Sequence, residues 1–297
     1  PRLLPLLVIG ALLGVAPPSP AQNIVNISNS PGWQSACPRI RVDGAGNIHA
    51  VWAEIYTLSG VFFTSGDAFY SRFNILTRQW STPINLSGSG QVANAEGYLV
   101  DLDADAAGNV YVVYLNNNAI LLRVLSGGTW SAPFEVGRNS GPIDQVRIAV
   151  TADGDIFTCW WEIAPGTCHS RARVGGNWES VRQISVPGVR SKFPDIAVGT
   201  GYVGCAFMAV VGETYRLVVT ARAQTAGASW SSPIRPTSSP DQEQQPAVAI
   251  DSSDIAHLVY TPEFDTKRAR KKLRRYVEGH DHAIRLKAEI IVDHFHE

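Results

Sequence analysis

VRIAVTADGDIFTCW, residues 146–160, carries the pattern that decides the fold. Apolar side chains alternate through Val146, Ile148 and Val150, an Asp/Gly turn follows, and a second β-rich run closes on Trp160. Period-two alternation on either side of such a turn reads as a hairpin. The same phrase recurs as PRIRVDGAGNIHAVW at 38–52, VDLDADAAGNVYVVY at 100–114, PDIAVGTGYVGCAF at 194–207 and PAVAIDSSDIAHLVY at 246–260.

A second phrase runs in step with the first. Tryptophans stand at 80, 130, 178 and 230, separated by 50, 48 and 52 residues. Three of them open WSTP, WSAP and WSSP, and WESV at 178 is the degenerate copy. A further β-rich run precedes each one: FYSRF, AILLRVL, TCHSRARV and YRLVVTARA. Four short antiparallel strands per repeat of about fifty residues describe a propeller blade, whose faces are buried only when blades stack on one another. Helical repeats would need apolar residues at 3.6 spacing, whereas these segments are rich in Val, Ile, Thr and Trp. The expected fold is all-β: a β-propeller with four complete blades over residues 22–265, the first strands of a fifth, and truncation thereafter. NIVNIS at 23–28 resembles the strand ending TPINLS at 82–87 and is expected to be the end of an outer strand.

The two ends differ from this middle. Arg2 precedes the apolar run 3–16, and Ser19-Pro20-Ala21 fits a small-x-small cleavage site, so residues 1–21 read as a signal peptide entered after its start. That run is too short to span a bilayer, which needs about 20 residues, so no transmembrane span is expected in the mature chain. A secreted, periplasmic or cell-surface location follows, and it permits disulfides among the four cysteines. Cys159 and Cys168 flank the turn EIAPGT and are the expected pair; buried free thiols are the alternative. The net charge of -1 hides an asymmetry, because residues 267–297 hold nine Lys/Arg and five Asp/Glu. A basic linker and a short amphipathic C-terminal helix from about 283 are expected there.

The repeated WSxP phrase after a Gly-containing turn resembles the BNR repeat of sialidases and related carbohydrate-binding propellers, over about residues 23–265. The Asp box of that family is degenerate here: Ala223 and Thr225, and Arg123 and Leu125, replace its Ser and Asp. The resemblance implies, for an active sialidase, an arginine triad around the substrate carboxylate, a Tyr activated by a Glu, and an Asp acid. Aligning the first strands puts Arg39, Asp101, Arg147, Asp195 and Ala247 at one position in successive blades, near the axis. Arg39 and Arg147 are therefore candidates for binding an anionic sugar, with Asp101 or Asp195 as general acid. The competing reading is that these charges pair between adjacent blades. No Tyr–Glu pair is assignable.

Asp101, Asp103 and Asp105 form the densest carboxylate run and are the calcium candidate; Asp, Asn and Gly are equally what a tight hairpin demands. No other cofactor is implied. Trp33, Trp161 and Tyr98 are candidates for stacking on sugar rings.

The tail YVEGHDHAIRLKAEIIVDHFHE, 276–297, resembles a segment of the motor subunit of type I restriction enzymes. No phosphate-binding loop, DEAH box or nuclease carboxylate cluster accompanies it, so no ATPase is implied and nucleic acid is not an expected partner. His280/His282 and His294/His296 sit two apart and diverge on a helix, against a zinc site. Such a segment does not belong behind an export signal, so residues 266–297 are expected to be a fusion or an assembly artefact. The sequence as a whole points to an extracellular propeller that binds a glycan or an extracellular protein without catalysis. The alternatives are a secreted sialidase-like glycoside hydrolase and a structural repeat domain of a surface protein.

Overall fold

A computed structural model describes residues 25–263, except 31, 60–61, 89–98, 140 and 239–241. The expected export signal, the basic tail with its expected helix, and Tyr98 lie outside the described residues. All regular structure within them is β, in five antiparallel sheets. Blade 1 comprises Gln34–Val42, Ile48–Ser59, Phe62–Asn74, Gln79–Trp80 and Ile84–Asn85. Blade 2 runs Val100–Ala104, Val110–Asn116, Ala119–Ser126, Thr129–Trp130 and Phe134–Arg138, and blade 3 runs Ile143–Val150, Ile156–Glu162, Thr167–Val174, Asn177–Trp178 and Arg182–Gln183. Blade 4 has Ser191–Val198, Tyr202–Val211 and Thr214–Ala223, with a single bridge between Val219 and Ile234 where an outer strand would lie. Blade 5 contributes Gln242–Ile250 and Ala256–Glu263. Residues 25–28, expected as an outer-strand ending, form no strand.

The register makes the blades superimposable. Arg39 faces Val51, Asp101 faces Val113, Arg147 faces Cys159, Asp195 faces Ala206 and Ala247 faces Val259 across the first hairpin of each blade. The first strands of successive blades lie against one another, as a radial arrangement requires. The apolar core follows the interfaces: one cluster joins blades 1, 2 and 3, and a second joins blades 3 and 4. Among the described residues no helix is long and apolar enough to cross a membrane.

The hairpin turns explain their Asp, Asn and Gly. Asp43 Oδ1 accepts from the Ala45 and Asn47 amides, and its Oδ2 accepts from Asn47 Nδ2. Gly46 then adopts φ +83, a left-handed conformation that favours glycine.

The WSxP phrase also has a physical account. Pro83, Pro133 and Pro233 cannot donate to a ladder, so the outer strand breaks there. The serine before each break repairs the pairing, since Ser81, Ser131 and Ser231 Oγ accept from the amides of Arg72, Val124 and Ala221 at 3.0, 3.0 and 3.1 Å. In the degenerate copy Glu179 stands at the serine position. Its carboxylate instead takes a bidentate pair of bonds from Arg222 of blade 4, at 2.7 and 2.9 Å, and one from the Gly227 amide.

The expected Cys159–Cys168 disulfide is not present: all four cysteines are free. The hairpin pairs Cys159 with Ser170 and Cys168 with Trp161, so the two thiols are diagonal neighbours on one sheet face instead of facing partners.

Candidate functional site

The first strand of four blades carries the same irregularity. The pairing slips between Ala36 and Arg39, Asp144 and Val146, Lys192 and Asp195, and Gln244 and Ala247. At each slip one residue has positive φ: Cys37 at 56, Gln145 at 50, Phe193 at 56 and Gln245 at 48. A non-glycine residue held there costs about 1–3 kcal/mol, and a bulge re-aims the side chains beside it. All four of these residues line an axial cavity of about 690 Å³, together with Arg39, Arg41, Asp101, Arg147 and Asp195.

The structure does bring the four sequence-derived candidates together, and it pairs them between blades. Arg39 Nε lies 3.6 Å from Asp101 Oδ1, and Arg147 Nε lies 3.0 Å from Asp195 Oδ1. Arg41 makes the parallel contact to Asp103 at 3.1 Å. The second oxygen of each carboxylate reaches forward to the following blade. Asp101 Oδ2 accepts from the Ile148 amide at 3.1 Å, Asp103 Oδ2 from Val150 at 2.8 Å and Asp195 Oδ2 from Val248 at 2.9 Å. Each aspartate thus ties together three successive blades: an arginine behind it and a backbone amide ahead. Burial pushes the Asp101 carboxyl up, against the opposing pull of the Arg147 guanidinium and the Ile148 amide.

The same bonds decide the calcium candidate. Asp101 and Asp103 face N–H donors, and Asp105 accepts from Asn109 N, Asn109 Nδ2 and Tyr111 OH. The three carboxylates do not converge, and no group of metal-ligating side chains occurs among the described residues. Asp105 is a turn residue.

Gln145 is buried. Its Nε2 donates to the Pro194 carbonyl at 3.0 Å, while its Oε1 has no hydrogen-bond partner. The Cys37 thiol at the rim is pushed up by burial, so it is not a ready nucleophile. A tyrosine–carboxylate pair that the sequence did not reveal does exist, since Tyr56 donates to Asp67 at 2.9 Å. It lies outside the residues lining the axial cavity. Burial, and then Asp67, raise the phenol's pKa, the opposite of activation. Trp33 is exposed, edge-on to Tyr56 at 4.4 Å; Trp161 is buried edge-on to Phe193 at 5.3 Å.

Cys37, Arg41, Gln145, Phe193 and Gln245 were missed from the sequence. A signal existed for three of them: Pro38, Pro194 and Pro246 follow Cys37, Phe193 and Gln245 inside a strand, where proline is confined to edges and bulges.

Antiparallel sheets whose bulged inner strands surround an axial cavity define an all-β fold of the β-propeller kind. No family model and no curated protein matches the chain. Among solved structures it is similar to a Dyadobacter fermentans protein of unknown function, with a TM-score of 0.52 and 10% identity over 77% of this chain and 75% of that one. It is similar also to a polysaccharide lyase, an ulvan lyase bound to -[GlcA(1-4)Rha3S]-, with a TM-score of 0.51 and 12% identity over 81% of this chain and 66% of that one. A Penicillium chrysogenum α-L-arabinanase complexed with arabinobiose aligns at a TM-score of 0.49 and 14% identity, over 76% and 74% of the two chains. At such identities the likeness is one of fold.

Proposed function

We propose that this chain binds a neutral glycan at the mouth of its axial cavity and does not hydrolyse it. The observation that carries this reading is that the two carboxylates lining the cavity, Asp101 and Asp195, each have one oxygen on an arginine and the other on the next blade's amide. A general acid must be able to present a proton to substrate, and these groups are committed to joining blades. The arginines Arg39, Arg41 and Arg147 are paired with Asp101, Asp103 and Asp195, so local charge is balanced. A sialic acid carboxylate would have to compete with aspartates already in place, which disfavours the sialidase reading. Sugar hydroxyls, which both donate and accept, suit a wall of guanidinium, amide and carboxyl groups with an aromatic ring at Phe193. The ulvan lyase of similar fold is bound to an acidic saccharide, so it supports a glycan ligand as such, while the neutral character proposed here rests on the paired arginines alone. Export directed by residues 1–21 would place the protein where such glycans are met.

The test screens the purified chain on a glycan array and against fluorogenic glycosides, including a sialoside. Binding to neutral glycans without turnover, weakened tenfold or more by Phe193→Ala or Gln145→Ala, is the expected result. Turnover that disappears in Asp101→Asn or Asp195→Asn would replace this reading with a hydrolase.

A further inference from the structure

Three of the four cysteines meet where blade 3 packs on blade 4. Cys159 sits on the second strand of blade 3, opposite Arg147, and Cys205 on the second strand of blade 4, opposite Ile196 and Thr220. Cys159 shares its face with Phe157 and Trp161, and Cys205 shares its own with Val203 and Phe207; all six belong to the single apolar cluster of that interface. The two faces meet, which directs the Cys159 and Cys205 side chains toward one another across the interface, near enough for each to perturb the other's thiol. Cys168 stands in the same cluster but on the same blade as Cys159. The cysteines that approach one another thus belong to adjacent blades and lie 46 residues apart in sequence.

We propose that Cys159 and Cys205 form an inter-blade disulfide when the chain folds in the presence of a disulfide oxidant. The chemistry needs two exchanges. A thiolate of one cysteine attacks a small-molecule disulfide such as oxidised glutathione, giving a protein mixed disulfide and one released thiol. The second cysteine then attacks the protein-bound sulfur, forming the S–S bond and releasing the second glutathione thiol. Two protein thiols are oxidised and one glutathione disulfide is reduced, so electrons and protons balance. In the finished fold both thiols are buried and protonated, which makes them inert. The exchange belongs to the stage at which blades 3 and 4 are still closing. Once formed, the bond shortens the unfolded chain's loops and holds the interface shut.

The experiment denatures the full chain, refolds it in oxidised and reduced glutathione, and maps its peptides without reduction. The expected outcome is a Cys159–Cys205 peptide, a fall in titratable thiols from four to two, and a thermal midpoint higher by roughly 5–10 °C than that of the reduced protein. Cys168→Ser keeps the link and Cys205→Ala loses it. Peptide mapping of the unsubstituted chain decides the matter even if Cys205→Ala does not fold. Four free thiols after refolding, or any link that includes Cys168 or Cys37, overturns the proposal.

Discussion

Ile148 on the first strand of blade 3 is 1% exposed, and Leu102 at the same position of blade 2 is 0% exposed. Ile40, which occupies that position in blade 1, is 62% exposed. The mirror case lies at the other end of the arc. Val51, Val113, Cys159 and Ala206 on the second strands of blades 1 to 4 are each 0% exposed, whereas Val259 of blade 5 is 70% exposed. Residue type and register are alike in both sets, so neither the sheet nor its sequence buries these side chains. The neighbouring blade does. A blade has two faces, one for the sheet before it and one for the sheet after, and only a blade flanked on both sides has a finished core.

The sharpest way to break that comparison is to make one substitution at both places. Ile148→Ala opens a cavity between blades and should cost about 3 kcal/mol, within the 2–5 kcal/mol usual for a buried isoleucine. Ile40→Ala removes the same atoms from a face that no described blade covers and should change stability by about 0.5 kcal/mol or less. Urea unfolding of the two variants measures both. Equal losses would mean that the blade 1 face is covered in solution and that the contrast between flank and interior is false.

Within the interior, the blade 3–4 interface is also reinforced by polar groups. Besides Arg147–Asp195, the interface carries the pair of Glu179 with Arg222, whose side chain is 1% exposed. Glu179→Gln leaves that guanidinium buried without its counter-charge and should cost about 3 kcal/mol. The pH dependence sharpens the assignment. Hydrogen bonds from Arg222 hold the Glu179 carboxyl below its ordinary value of 4.5, despite some desolvation. A carboxyl depressed in the native state contributes stability that is full above its unfolded pKa and is lost as pH falls through the native one. The gap in thermal midpoint between the natural chain and Glu179→Gln should therefore be widest near neutral pH and shrink as pH drops below about 4.5. A gap that stays constant to pH 3 would remove the ion pair from the explanation.

Much of this architecture was legible because a repeat shows every structural constraint several times. The alternation around 146–160 fixed which side chains share a face, and five copies aligned Arg39, Asp101, Arg147, Asp195 and Ala247 as the register later placed them. The pairing of arginines with aspartates between blades was visible as an alternative in the same alignment. What stayed hidden depends on distances between blades. Nothing in the sequence says that Asp101 and Asp195 also accept amides from the following blade, which is the observation the proposed binding role rests on. The cysteine pairing failed for a related reason. Two thiols flanking a turn suggest a partner within the hairpin, but the register set them diagonally and turned Cys159 toward blade 4. Pro38, Pro194 and Pro246 were the overlooked clue, marking the bulges that aim side chains at the axis.

The smallest expected effect tests whether the tryptophan phrase is structural at the blade rim, far from either kind of face. Ser131 Oγ accepts from the Val124 amide at 3.0 Å, beside a proline that cannot take part in the ladder. Ser131→Ala deletes the acceptor, but the site is exposed and water can replace it. The loss should be no more than about 1 kcal/mol, the net worth of one hydrogen bond, and hydrogen exchange at Val124 should accelerate while the core amides of Val112 and Ile148 hold their rates. Glu179→Ser would install the serine acceptor at the degenerate blade 3 copy, yet it should still destabilise nearly as much as Glu179→Gln, because Arg222 loses its partner either way. If Glu179→Ser were instead neutral, the rim hydrogen bond would outweigh the inter-blade ion pair, and stability in this fold would reside within each blade instead of between them.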